Sequence, residues 1–461
     1  MQETSSEKSK KKSLFEIDMC NGSILGKMLL FAFPLMFSSI LQLLFNAADT
    51  VVVGRYAGEN SLAAVGSNGA MINLMTNLFI GLSVGTNVLI AKVVGAGDRE
   101  STKKIVHTSI SIAFLGGVFL MIFGIFFAEK ILILMDAPRE VLPLAVTYLK
   151  IYFIGLPAMM LYNFGSAILR AVGDTFRPLI FLLISGVINV VFNLYFVIEL
   201  KMDVAGVAWA TVISQVVSAV FIIGCLILEK GDIHLSLKDL RIDKDSLLRI
   251  VRIGIPAGLQ GTLFSLSNVV IQSSVNSFGA IVVAGNSAAA NIEGFVYVSM
   301  NAFHQATLSF TSQNMGAGKF ERIGKILRTG LICVSVVGLL LGNLVVLFGR
   351  ELVSIYSDVP EVVERGFDRL LVICCLYFLC GVMDVMVGSI RGMGYSVMPM
   401  IVSLVGACGL RILWLKTFFL QDAFHTTFYI YVTYPVSWLI TISFHVICYI
   451  IVKRKLMSKR A

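Results

Sequence analysis

The chain has 461 residues, of which 57% are apolar and only 14% are charged, and its formal net charge is +9. Soluble domains carry roughly 25% charged residues, so the composition excludes an ordinary soluble protein and indicates a chain that buries apolar surface in lipid. The basic residues are concentrated in alternate short loops, which is how orientation in a membrane is encoded, and we expect no nucleic-acid partner.

Apolar stretches of about twenty residues recur along the chain, each long enough to cross a hydrocarbon core of about 30 Å. The stretches are continuous, without apolar/polar alternation, and therefore predict helices and not a β-barrel. The predicted fold class is an all-α polytopic membrane protein with twelve transmembrane helices. The predicted spans cover residues 28–54, 62–95, 105–128, 143–166, 177–199, 204–228, 249–277, 283–315, 326–349, 368–390, 397–420 and 427–452.

The loop charges predict which side each loop faces. Basic clusters precede the first span and follow the last, so residues 1–27 are predicted to be a cytoplasmic tail with an interfacial segment, and residues 453–461 a second cytoplasmic tail. The loops at 199–203 and 350–369 have mixed or acidic charge and are predicted to lie on the opposite side.

The two halves of the sequence repeat each other. The motif Gly-Ala-Gly at 95–97 recurs at 316–318, and a charged stretch at 229–248 separates the halves. Further pairs at nearly the same displacement are Lys104 and Lys325, Arg170 and Arg391, Gly173 and Gly394, Pro178 and Pro399, Pro34 and Pro256, and Asn46 and Asn268. We therefore predict an N-lobe at 28–228, a cytoplasmic linker at 229–248 and a C-lobe at 249–452, in a parallel six-plus-six repeat typical of alternating-access transporters.

Proline and glycine residues mark helix bends and close contacts. Pro34 and Pro256 lie early in the first span of each half, where a bend would couple ion binding to cavity shape or would only shape the packing. Gly81 and Gly85 have the small-xxx-small spacing that predicts a close approach between two helices.

Asp49 lies inside the first predicted span, where an ionisable side chain costs about 2.5 to 3.5 kcal/mol on insertion scales and is a functional candidate by default. Asn189 and Asn193 share one face of the fifth span, and Thr211 lies in the sixth. One carboxylate with several neutral oxygens suits a proton or a small hard cation such as Na⁺. The alternative is that Asp49 only makes hydrogen bonds between helices.

The second half contains a different polar set. Glu293, Asp384 and Arg411 lie in the eighth, tenth and eleventh spans, and Gln260 and Asn268 lie about two turns apart on the seventh. An ion pair between Asp384 and Arg411 would serve as a gate or as a structural lock. The two amides would either line a cavity or join helices. These five residues are our candidates for substrate binding or gating.

Enzyme motifs are missing from the sequence. There is no phosphate-binding Gly-x-x-x-x-Gly-Lys-Ser/Thr loop, no His-Glu-x-x-His pair and no nucleophile elbow, so we predict no enzyme activity, no cofactor and no metal site beyond a coupling Na⁺. A receptor or scaffold without transport activity would not need buried acids within a six-plus-six repeat.

Several short motifs, taken together, resemble the multidrug and toxic compound extrusion family over nearly the whole chain. The matching stretches are residues 47–54 (AADTVVVG), 62–66 (LAAVG), 94–98 (VGAGD), 169–175 (LRAVGDT) and 389–392 (SIRG). The resemblance implies two six-helix lobes in a V-shaped bundle, located in the inner (plasma) membrane, that export organic cations in exchange for H⁺ or Na⁺. We expect a monomer whose other contacts are with membrane lipid.

The resemblance also implies a cation-coupling site in the first lobe, formed by Asp49, Asn189, Asn193 and Thr211. The family often has Asp where this chain has Asn193, so one carboxylate remains instead of two and proton coupling is favoured over sodium. The other transport function considered is a flippase for a lipid-linked saccharide or a related lipid precursor. Such a flippase usually needs a more cationic cavity, and Arg411 is the only evident cation within the predicted spans.

Overall fold

The computed structural model describes residues 15–134 and 138–458, which form sixteen α-helices and no β-strand. The helices of the first half are α1 (Ile24–Tyr56), α2 (Glu59–Gly95), α3 (Arg99–Leu134), α4 (Leu142–Ile154), α5 (Leu156–Ala171), α6 (Phe176–Leu194) and α7 (Asp203–Leu228). Those of the second half are α8 (Lys244–Asn276), α9 (Ala280–Gly316), α10 (Phe320–Leu347), α11 (Gly349–Ser354), α12 (Pro360–Cys374), α13 (Phe378–Gly392), α14 (Val397–Ser403), α15 (Leu410–Thr417) and α16 (Thr427–Ser458).

The number of membrane spans in the described residues is close to the twelve predicted from the sequence. In the described part of the chain, nine helical stretches are long and apolar enough to cross a membrane, and two bent pairs raise the number to eleven. The pairs are α4 with α5, bent by 48°, and α12 with α13, bent by 46°. Helix α8, with 33 residues, is more polar and is not among these eleven. The polytopic all-α fold is therefore confirmed.

The backbone repeats as the sequence does. The glycines that begin or end corresponding helices adopt positive φ in pairs, a conformation that glycine adopts without steric cost. The pairs are Gly58 and Gly279 (86° and 90°), Gly97 and Gly318 (72° and 69°), and Gly173 and Gly394 (95° and 94°). These matched turns, together with the matched bent pairs, confirm that the chain consists of two structural repeats.

Each repeat has its own apolar core, but α1 and α8 contribute to both. The N-terminal half of α1 packs in the second core through Phe31, whereas Val53 near its C-terminus packs in the first. Helix α8 does the reverse, with Ile250 in the first core and Ile271 in the second. We call α2–α7 with the C-terminal half of α1 the first lobe, and α9–α16 with the C-terminal half of α8 the second lobe.

Glycines along α2 allow α8 and α9 to approach it closely. Gly81 packs against Gly258 of α8, and Gly85 against Gly254, as the small-xxx-small spacing predicted. Further along α2, a Cβ atom built at Gly316 of α9 would overlap the carbonyl oxygen of Lys92. Only glycine permits this approach, because any side chain would enter the backbone of the other helix. The lobes are therefore closed against each other at the end of the bundle that carries Lys92, Arg99, Lys319 and Arg322, called the basic end here.

Residues 15–22 form a strap across the basic end. The amide of Ile17 donates to the carbonyl of Gly173 in the first lobe over 3.4 Å, and Asn314 Nδ2 of α9 donates to the carbonyl of Met19 over 2.9 Å. Met19 is fully buried in the second core. The sequence predicted an interfacial segment here, whereas the structure has these residues joining both lobes.

The connection between the lobes is held on the first lobe. Leu235 is fully buried in the first core, and the amide of Ser236 donates to Nε2 of His107 over 3.1 Å. Helix α8 begins at Lys244, before the predicted start of the seventh span, because Asp243 caps it by accepting a hydrogen bond from the amide of Ser246. The hydrogen bonds from Ser246 also lower the pKa of the Asp243 carboxyl.

Candidate ion and substrate sites

The four predicted coupling residues meet in the first lobe. Asp49 of α1, Asn189 of α6 and Thr211 of α7 line a cavity of about 390 Å³, which we call the first-lobe cavity. Asn193 lies one turn beyond Asn189, and its Nδ2 donates a hydrogen bond to the carboxylate of Asp49. Asn189 Nδ2 lies 3.5 Å from Thr211 Oγ1. Asn189 and Asn193 are four residues apart on α6 and share one face of the helix. Asn193 therefore contacts the acid of α1, and Asn189 contacts the hydroxyl of α7.

The chemistry of this cavity suits a small cation or a proton. Asp49 is the sole charged group among its described lining residues, and the others are polar, aromatic or apolar. The Asn193 Oδ1 atom is buried without a hydrogen-bond partner, and so is Oε1 of Gln215 in the cavity wall. Oxygen atoms without a donor, close to a carboxylate, are ligands of the kind that hard cations prefer. The described residues contain no cluster of three or more metal-binding side chains, so a cation here would have one carboxylate and neutral oxygens.

A second cavity, of about 560 Å³, lies among the helices of the second lobe, and we call it the second-lobe cavity. All five of the remaining candidates line it, which the sequence alone did not predict. They are Gln260, Asn268, Glu293, Asp384 and Arg411. Asn73 of α2 lines both this cavity and the first-lobe cavity, so the two spaces adjoin beyond the glycine contacts that close the basic end.

Glu293 has a partner that the sequence analysis missed. Arg369 Nε and Nη2 donate to the two carboxylate oxygens of Glu293 over 2.7 Å each, and Nη1 donates to Asn286 Oδ1 over 2.6 Å. The sequence analysis assigned Arg369 to a polar loop, but it lies on α12 and is 7% exposed. The buried positions Val362, Gly366 and Ile373 recur at helical spacing on either side of Arg369 and could have predicted that it faces inward.

The ion pair between Asp384 and Arg411, which the sequence left open, is absent from the ion pairs of the described residues. Arg411 Nε instead donates to Ser437 Oγ of α16 over 2.8 Å, and its guanidinium lies 4.2 Å from the ring centre of Tyr434. Asp384 lines the same cavity as Tyr297, and its backbone carbonyl lies 2.6 Å from Nδ1 of His304. Arg411 thus turns toward α16 and its aromatic face and not toward Asp384.

Arg391 is a further cation that the sequence analysis did not place in a cavity. It comes at the end of α13, where the repeat pairs it with Arg170, and it lines the second-lobe cavity with 5% exposure. Its Nη2 donates to Gln260 Oε1 over 2.9 Å and its Nε to Ser396 Oγ over 3.2 Å. The sequence suggested that Arg411 was the single cation within the spans. The structure shows that Arg391 is a second cation in the same cavity.

Pro34 and Pro256 lie in the N-terminal halves of α1 and α8. Phe31 precedes Pro34 in the second core, and Ile253 precedes Pro256 in the first core. Both helices continue through their proline. The two residues therefore lie in the two exchanged helix halves, and whether the helices bend there during transport stays a prediction.

The chain has two repeats, and each has its own core and a polar cavity. Exchanged helix halves join the repeats in one bundle of membrane spans. This arrangement is that of a two-lobed multi-pass transporter. The model of the family MatE matches residues 34–195 and again residues 256–414. This chain belongs to that family, the multidrug and toxic compound extrusion transporters. The second match begins at Pro256, the repeat partner of the residue that begins the first, which agrees with the internal repeat.

Known relatives extend over most of the chain. It is 29% identical over 399 residues to "Probable multidrug resistance protein YoeA" of Bacillus subtilis (strain 168), covering 85% of this chain and 86% of the relative. It is also 29% identical to "Probable multidrug resistance protein YpnP" of the same organism, over 86% of this chain and 88% of the relative. Among solved structures, an outward-facing conformation of a multidrug resistance MATE family transporter superposes with a TM-score of 0.88 at 22% identity, covering 98% of this chain and 100% of the other.

Proposed function

We propose that this protein is a secondary active efflux transporter that exports organic cations by alternating access, in antiport with H⁺ or Na⁺. The observation that carries the proposal is Asp49. It is a lone carboxylate on the wall of the first-lobe cavity, bonded to Asn193 and surrounded by neutral oxygens. A group of this kind binds a cation or a proton from one side and releases it to the other when the cavity changes its exposure.

Proton coupling is favoured over sodium coupling. Na⁺ prefers several anionic or carbonyl oxygens in its shell, and Asn193 supplies an amide where a second carboxylate would have strengthened binding. A proton needs only the carboxylate of Asp49. A cationic substrate would be held by Asp384 in the second-lobe cavity, because Glu293 already forms two hydrogen bonds with Arg369.

We assign the protein to the inner (plasma) membrane as a monomer, with the basic end and both termini in the cytoplasm. With this orientation, the contact between Gly316 and Lys92 closes the cytoplasmic side, and the structure corresponds to an outward-facing state.

Proteoliposomes with separately imposed proton and sodium gradients test the proposal. The purified protein should export ethidium when one gradient is applied, and the effective gradient identifies the coupling ion. Asp49→Asn should lose gradient-driven export while it is made and purified in normal yield. Asp203→Asn, which removes an exposed acid at the start of α7, is the matched control and should transport like the wild type. Wild-type export by Asp49→Asn would refute the coupling assignment.

The flippase alternative is not favoured, because the relatives covering most of the chain are named for multidrug resistance. The argument that the cavity lacks cations no longer counts against a flippase, since Arg391 and Arg411 both line the second-lobe cavity. If ethidium is not moved under either gradient, transbilayer movement of a fluorescent lipid-linked diphosphate is the next measurement.

A further inference from the structure

The second-lobe cavity has a charge balance that an exporter of cations alone does not need. Its charged lining residues are Glu293, Asp384, Arg391 and Arg411. Arg369 lies directly behind Glu293 and satisfies both of its carboxylate oxygens. Three guanidinium groups therefore face two carboxylates, and one of these carboxylates is already paired.

Arg391 and Arg411 are held in place by neutral groups. Arg391 donates to the side chains of Gln260 and Ser396, and Arg411 donates to Ser437. Among the described residues, neither arginine has a carboxylate within 4 Å, whereas Arg369 and Arg177 do. Both are almost fully buried, with 5% and 4% exposure. A buried guanidinium without a counter-ion is costly, and an anionic ligand offsets that cost.

Aromatic rings surround Arg411. Its guanidinium lies 4.2 Å from the ring centre of Tyr434 and 5.7 Å from that of Trp438. Trp438 in turn stacks with Tyr377 at 5.5 Å, and all three aromatic residues line the cavity. Flat aromatic walls next to a planar cation suit a ligand that combines an aromatic ring system with an anionic group.

We propose that the second-lobe cavity is a binding site for aromatic organic anions and zwitterions, with Arg391 and Arg411 holding the carboxylate or phosphate group of the ligand. A zwitterion would place its cationic group toward Asp384, which lines the same cavity. This inference extends the substrate range of the proposed efflux function and rests on it for transport, but not for binding.

Binding and transport of two dyes of opposite charge test the proposal. Binding of carboxyfluorescein, an aromatic anion, to the purified full-length protein is followed by fluorescence anisotropy, and ethidium export from proteoliposomes is measured in parallel. We expect the wild type to bind carboxyfluorescein. Arg411→Gln and Arg391→Gln should each weaken this binding about tenfold, and Arg411→Lys, which keeps the charge but loses the planar group, should weaken it less.

Lys416→Gln is the matched control, because Lys416 is an exposed cation on the same short helix as Arg411 and outside the cavity. It should bind carboxyfluorescein like the wild type. Size-exclusion profiles and melting temperatures establish that the arginine variants are folded. If the arginine variants prove unfolded, competition decides instead: a non-fluorescent aromatic carboxylate, benzoate, should displace carboxyfluorescein from the wild type.

The outcomes separate the two proposals. Ethidium export by a wild type that does not bind carboxyfluorescein would overturn the anion site and leave the efflux function intact. Equal carboxyfluorescein binding by the wild type, Arg391→Gln and Arg411→Gln would also overturn it. Specific carboxyfluorescein binding without gradient-driven movement of ethidium would support the anion site and refute the proposed export of cations.

Discussion

At the scale of single residues, buried charges decide which side chains act and which only stabilise. Arg369 and Glu293 satisfy each other through two hydrogen bonds and are both nearly inaccessible. Asp49 and Asp384 have no basic side chain within ion-pair distance among the described ion pairs, and each lines a cavity. The first pair therefore belongs to the framework of the second lobe, whereas the two aspartates are available to an ion or a ligand.

Breaking the Glu293–Arg369 pair on one side should destabilise the protein strongly. Removing one partner leaves an uncompensated buried charge, which costs about 3 to 5 kcal/mol. Arg369→Met and Glu293→Gln should each lower the melting temperature of the purified protein, and the double variant should regain most of the loss. Equal losses that add up in the double variant would show that the two side chains do not act as a pair.

At the scale of helices, the sequence predicted the features that depend on nearby residues of the chain, such as spans and turns. It did not predict the contacts between helices that are distant in the chain. Hydropathy predicted the spans, and repeated glycines such as Gly97 and Gly318 predicted two equivalent halves, because a left-handed turn depends on the residue that forms it. The i, i+4 spacing of Asn189 and Asn193 predicted one face of the candidate ion site. Hydropathy contains no information on which core an apolar face will join, so the exchange of the N-terminal halves of α1 and α8 was not predictable.

The contact between α2 and α9 should fail when a single methyl group is added. Gly316→Ala would place Cβ against the backbone of Lys92, whereas Gly294→Ala on the same helix adds a Cβ with no atom within 4 Å. Spin labels at Glu100 and Glu321, exposed positions on the two lobes, report the distance across the basic end after the native cysteines are replaced. The distance should increase or broaden in Gly316→Ala and stay unchanged in Gly294→Ala.

An unchanged distance distribution in Gly316→Ala would mean that the lobes are not held closed by this contact. The strap of residues 15–22 would then be the next element to test, since it bonds to Gly173 on one lobe and Asn314 on the other.

At the scale of the whole molecule, the exchanged helix halves join the lobes more firmly than the loop that connects them. A protease site inserted at Gly231, in the exposed part of the connection, should allow the folded protein to be cut into two pieces that still co-migrate on size exclusion in detergent. Phe31→Ala should weaken this association, because Phe31 packs edge to face on Phe310 at 5.7 Å and truncating a buried phenylalanine costs about 3 to 5 kcal/mol. Phe33→Ala is the control, since Phe33 is 47% exposed. Pieces that separate after the cut would contradict the exchange.

The exchange between the lobes also constrains how the protein is made. When α1 leaves the ribosome, the residues that will surround its N-terminal half, such as Phe310, have not been synthesised. The first six spans must therefore reside in the membrane with this half of α1 facing lipid, until α9 has been inserted. Synthesis of α8, which precedes α9 in the chain, supplies Ile250 to the first core. The two halves thus mature together, and a nascent chain that stops before α8 lacks part of both cores.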